Sequence, residues 1–79
     1  MHDNILSNSE INHLISKTFN SSKDQSIVRD RIINGYTFEK ILSNHFPDAV
    51  LSGKTRNRFI LHNIIPLLNK YYQNKSLLS

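Results

Sequence analysis

Apolar residues recur along this chain at spacings of three and four, and strict alternation is scarce. That period belongs to amphipathic α-helices. Ile11, Leu14, Ile15 and Thr18 make one face of a first helix over about residues 10–19, which Ser9 can cap. Asn20-Ser21-Ser22 breaks it, and Ser22 with Gln25 has the form of a capping box. A second helix then runs to about Asn34, with Ile27, Val28, Ile32 and Ile33 as its apolar positions. Gly35 stands at the C′ place, where left-handed backbone is needed. Thr37 caps a short third helix bearing Phe38, Ile41, Leu42 and His45 or Phe46, and Pro47 ends it. Asp48 to Leu51 reads as a connector.

Ser52 can cap a fourth helix, with Gly53 as a permissive first residue. Residues were set on a wheel with Lys54 at the origin and a step of about 100°. Ile60, Leu61, Ile64, Ile65, Leu67 and Leu68 then fill an arc from about 220° through about 360° to about 20°. Thr55, Arg56, Phe59, His62 and Asn63 fall opposite, and Lys54 and Arg58 flank the apolar edge. The expected core face therefore centres on Leu61 and Ile64. Pro66 must kink this helix or begin a new one, because it cannot donate to the carbonyl of His62. Lys70, Tyr71, Tyr72 and Lys75 make an aromatic and basic tail segment. The fold class is all-α: a small bundle of about four to five helices containing a helix-turn-helix. It is expected as a single domain over 1–79, with a loose N-terminus (about 1–8) and C-terminus (about 74–79).

At 79 residues the chain has room for one thin core. With no cysteine, neither disulfides nor zinc–thiolate sites can reinforce it, which leaves helix packing or oligomerisation. Met1-His2-Asp3-Asn4 lacks the basic and apolar regions of a secretory leader, and no apolar run approaches a membrane span. A cytoplasmic location is the expectation.

Charge changes the picture more. After Asp48 there is no acidic residue, while Lys54, Arg56, Arg58, Lys70 and Lys75 all lie there. The formal net charge of +4 is thus polarised: the five bases before residue 49 are outnumbered by six acids. A basic, acid-free stretch opening an amphipathic helix suits a polyanion, nucleic acid being the commonest. A short helix after a glycine turn, a connector and then a longer basic helix is also the layout of a helix-turn-helix, whose second helix enters the major groove. The pair would be about Phe38–His45 and about Gly53–Ile65. Its connector, from Phe46 to Leu51, is longer than the usual turn. Lys54, Thr55, Arg56, Asn57, Arg58 and Phe59, with Ser52 before them, supply the groups such a helix needs. Cations neutralise phosphates, Arg reads guanine, Asn reads adenine, and an apolar group meets the thymine methyl.

Gly35-x-Thr37-x-x-x-Ile41, then Val50-Leu51-Ser52, then an Arg-bearing apolar helix ending in Tyr71-Tyr72, resembles the PapB-like regulators of bacterial adhesin (fimbrial) operons. The resemblance spans about residues 11–72, and Ser21 and Ser22 also stand where such proteins place serines. The chain departs from the family's pattern in carrying one more residue before Ser52, in lacking a Gly-Tyr-Phe ahead of that serine, and in placing Pro66 inside the last helix. The resemblance implies a small helical cytoplasmic transcription regulator that binds AT-rich promoter DNA as an oligomer. Ser52 and Arg58 match the family's motif positions, whereas Lys54 and Arg56 rest on charge alone.

Other chemistry is not expected. Ser52-Gly53-Lys54-Thr55 looks like the end of a phosphate-binding loop, but Asp48 stands where the loop needs glycine, and a helical chain has no parallel sheet to carry it. His2, His13, His45 and His62 are widely spaced without an i,i+4 pair, so no metal is expected. No nucleophile–base grouping stands out, so neither a catalytic residue, a cofactor nor a small-molecule substrate is assigned. The expected partners are double-stranded DNA and a second copy of the chain, with Leu67, Leu68, Tyr71 and Tyr72 as the oligomer contact. A different class of function is a small protein-binding adaptor or inhibitor that docks through the apolar helix around Ile60–Tyr72. A weaker third reading lays that helix on an anionic membrane, and the expected partners include no membrane.

Overall fold

A computed structural model describes residues 6–48 and 53–77 of the chain. Over these residues the protein is all-α, with five helices: α1 (Asn8–Thr18), α2 (Ser22–Ile32), α3 (Phe38–His45), α4 (Gly53–Asn63) and α5 (Ile65–Leu77). Helix α5 lies along α1 and α2, α2 also packs on α3, and α4 leans on α5.

Local chemistry explains the boundaries. The first cap is Ser7, not Ser9: its Oγ accepts from the Glu10 N–H at 3.2 Å, and its own N–H donates to Glu10 Oε1 at 3.0 Å. This is a full capping box, set by the glutamate three residues downstream. The second cap is Ser21, whose Oγ accepts from the Asp24 N–H. Gln25, expected to close a box with Ser22, instead donates from Nε2 to the Phe19 carbonyl at 2.8 Å. That bond closes the α1–α2 turn over a buried Phe19 ring. Gly35 has φ +67°, and the Tyr36 N–H returns to the Asp30 carbonyl at 3.0 Å, so the chain reverses there at no Cβ cost. Thr37 caps α3 through the Lys40 N–H.

The core joins Leu14, Ile15, Thr18 and Phe19 with Ile27, Val28, Ile41, Leu42, Ile64, Leu68 and Tyr71. Each such apolar side chain contributes on the order of 1.5–3 kcal/mol when fully buried. Thr18 is the one buried polar residue among those described; its hydroxyl donates to the Leu14 carbonyl at 2.7 Å and accepts from Asn74 Nδ2 at 2.8 Å. Of the stretch expected to be loose (about 74–79), residues 74–77 are helical, since α5 runs through Leu77 and Asn74 ties it to α1, and 78–79 lie outside the described residues. At the other end, Ser7 and Asn8 are the ordered cap and first residue of α1.

Pro66 begins a new helix. The helix bonds of α4 end with the Ile64 N–H on the Ile60 carbonyl, and Ile64 is a turn residue before α5 starts at Ile65. In the first turn of α5 the missing N–H of Pro66 has no helical partner to lose. This break invalidates a single wheel through Leu68. Within α4 the inward residues are Arg56, Phe59 and Ile60, all half-buried, followed by fully buried Ile64. Leu61, expected at the centre of the core face, is 57% exposed.

Candidate nucleic-acid interface

No residue of α4 is fully buried. One side of the helix rests on its neighbours, and the other carries Lys54, Thr55, Asn57, Arg58, Leu61 and His62 to solvent. Lys54, Arg58 and Leu61 stand four and three residues apart, which lines them along one stripe, with Asn57 and His62 beside it. The face has no acidic residue of its own.

Of the expected reading residues, Lys54, Thr55, Asn57 and Arg58 share this surface, and Ser52 lies outside the described residues. Arg56 and Phe59 do not belong to it. The Phe59 ring meets the Phe46 ring edge-on, with centroids 4.8 Å apart and planes at 76°. It is the apolar pin between the end of α3 and α4, so it is not free to meet a thymine methyl. The exposed apolar group on the solvent face is Leu61 instead. Arg56 turns toward α3 and pairs with Glu39 Oε1 at 3.4 Å, with side chains 39% and 69% exposed respectively. A pair this wet contributes about 0–1 kcal/mol to stability. Its consequence is local: an acid distant in sequence neutralises one of the bases credited to an acid-free segment.

Further contacts fix the support. His45 Nε2 and Asp30 Oδ2 are 2.6 Å apart, and Asp30 Oδ1 accepts from Asn34 Nδ2, which fastens the end of α3 to α2. The Lys23 ammonium of α2 lies 4.0 Å from the Phe46 ring centroid. An exposed cation–π contact adds about 0.5–1 kcal/mol. A cation in the first turn of α2 works against the helix dipole by about 0.3–1 kcal/mol. For Lys23 the two effects have opposite signs and similar size. Sequence periodicity missed the exposure of Leu61, which falls inside the apolar arc even when the wheel ends at Pro66, and it has no access to the Lys23–Phe46 contact, which joins residues far apart in the chain.

The residues assigned to an oligomer contact divide. Leu68 and Tyr71 are core, 6% and 1% exposed, so neither is free for a second copy of this fold. Leu67 is half-buried against the core, and Tyr72 is 51% exposed. The same burial removes most of the Ile60–Tyr72 docking face of an adaptor. His13, His45 and His62 sit on separate helices, and no cluster among the described residues could hold a metal ion. No helix of the described residues is long and apolar enough to cross a membrane. In comparison with known proteins, no family model, no curated protein and no solved structure matches this chain.

Proposed function

We propose that the protein is a DNA-binding transcription regulator in which α3 and α4 act as a helix-turn-helix and α4 is the reading helix. The observation that carries this reading is the solvent face of α4. It belongs to a helix with no fully buried residue and presents Lys54, Asn57, Arg58, Leu61 and His62 without an acid. These are phosphate-neutralising, base-reading and methyl-contacting groups on one stripe. Lys54 also lies in the first turn of α4, where the helix dipole disfavours a cation unless an anion is close. The resemblance to PapB-like regulators of adhesin (fimbrial) operons supports an AT-rich promoter target, a cytoplasmic setting and action as a homo-oligomer. Reading DNA through one short helix gives little specificity, which a second copy on an adjoining half-site would increase.

The test is a mobility shift with AT-rich and GC-rich duplexes at several salt concentrations. Binding with a log–log salt slope of about −3 to −5 is expected for about three to five phosphates neutralised per subunit. Undetectable binding at about 50 mM salt and micromolar protein would sink the reading.

A further inference from the structure

We propose that Lys23 of α2 is a second DNA contact, made to a backbone phosphate beside the groove that α4 enters. The inference rests on the reading of α4 given above. Lys23 is exposed and lies far from α4 in sequence, but a chain of rings joins them. Its ammonium is 4.0 Å from the Phe46 centroid, which is 4.8 Å from the Phe59 centroid of α4, so cation and Phe59 ring are no more than about 9 Å apart. On the helical wheel Phe59 adjoins Thr55 and His62, the edge of the solvent face. Lys23 is therefore a neighbour of the Phe59 side of α4, next to that edge. A helix about 10–12 Å across fills a groove about 12 Å wide, so its flanks face the two phosphodiester backbones.

The ring attracts the Lys23 ammonium while the helix dipole repels it, with effects of similar size, so neither dominates. The ring does have a second effect. It holds a long side chain over one spot, so less conformational freedom is lost when a phosphate arrives. No hydrogen bond or ion pair among the described residues claims the Lys23 ammonium. The ligand it fits is a DNA phosphodiester, recognised by charge and position and not by base.

The experiment measures DNA affinity and its salt slope for wild type, Lys23→Gln, Lys23→Arg, Lys17→Gln and Arg58→Ala, with thermal melts alongside. Lys17 lies on α1, which packs on α2 and α5, and its variant controls for net charge. Lys23→Gln is expected to weaken AT-rich and GC-rich binding alike, to reduce the magnitude of the slope by about 1, and to leave Tm unchanged. Lys23→Arg should restore both affinity and slope. If Arg58→Ala loses affinity while Lys23→Gln binds as wild type, the role given to Lys23 is overturned and the α4 reading stands. An equal loss in Lys17→Gln, or a loss matched by a fall in Tm, also overturns it. A wild type that binds no duplex overturns both readings.

Discussion

Residue by residue, the two arginines of the basic helix part company. Arg58 is exposed on the solvent face of α4, whereas Arg56 is half-buried against α3 and paired with Glu39. Arg58→Ala is therefore expected to cost clearly more DNA affinity than Arg56→Ala. If Arg58 reads a base, its removal should cost about 1–3 kcal/mol at one base-pair position; if it binds a phosphate, all sequences should weaken alike. Titration of both variants against single-base operator substitutions distinguishes these outcomes, and equal losses would contradict the assigned roles. Glu10 supports a pH prediction. The Ser7 backbone N–H, and after it the Ser7 hydroxyl, lowers the Glu10 pKa below its ordinary value. A carboxyl depressed in the folded state adds stability above its unfolded pKa, and that stability is lost as pH falls through the folded value. Glu10→Gln keeps an acceptor oxygen but no charge. Its melting temperature should fall below wild type at neutral pH and converge with it as pH falls through the folded-state pKa of Glu10. A gap that stays constant with pH would remove the charge from the explanation.

Within the elements, Leu61 and Ile64, both expected at the centre of the core face, part: Ile64 is buried as expected and Leu61 is not. Both are branched aliphatics, but Ile64, the turn residue between α4 and α5, is fully buried, and Leu61, near the end of α4, is 57% exposed. Ile64→Ala should cost roughly 2–5 kcal/mol, as a cavity in a thin core does. Leu61→Ala should stay within about 0.5 kcal/mol of wild type in stability. Thermal or denaturant melts of the two variants provide the check, and a large loss for Leu61→Ala would mean that α4 packs by another face. If α4 reads DNA as proposed, the same variant should weaken binding, since Leu61 is the exposed apolar group on its solvent face. The sequence pattern did locate the helices and their turns: Thr37 caps α3, Gly35 turns left-handed, and Ile41 and Leu42 are buried. These succeeded because each depends on residues within one or two turns. The caps of α1 and α2 shifted because several serines stand close together, and the choice among them follows from the downstream partner, Glu10 in α1.

For the whole molecule, burial moves the proposed self-association contact from the aromatic core to the rim. Leu68 and Tyr71 hold α5 to the bundle, and burial pushes the Tyr71 phenol above its ordinary pKa, with a smaller contribution from Tyr72. A charge at Leu68 would unfold the domain and report nothing about pairing. Tyr72 is different: exposed, on the same helix, and stacked edge-on against Tyr71 with centroids 5.3 Å apart. Tyr72→Glu is expected to shift a wild-type oligomer toward monomer, alone or on DNA, while keeping its melting temperature. Sedimentation of the two proteins with and without duplex measures this. A monomeric wild type that binds DNA without cooperativity would leave Tyr72 as an ordinary surface residue.

By itself the sequence determined the all-α class, the order of the helices, the glycine turn and the polarised charge, because each is a local or additive property of the chain. It also placed Lys54, Asn57 and Arg58 on one helix, which short-range periodicity guarantees. Only the tertiary structure decided which way that helix faces. Ile64 could be buried and Leu61 exposed only once Pro66 had started a new helix and α5 had settled on α1 and α2. Packing likewise brought Glu39 to Arg56, and Phe46 between Lys23 and Phe59. Those meetings join residues far apart in sequence, and their energies depend on the shape of the shared core, to which no single segment's pattern has access.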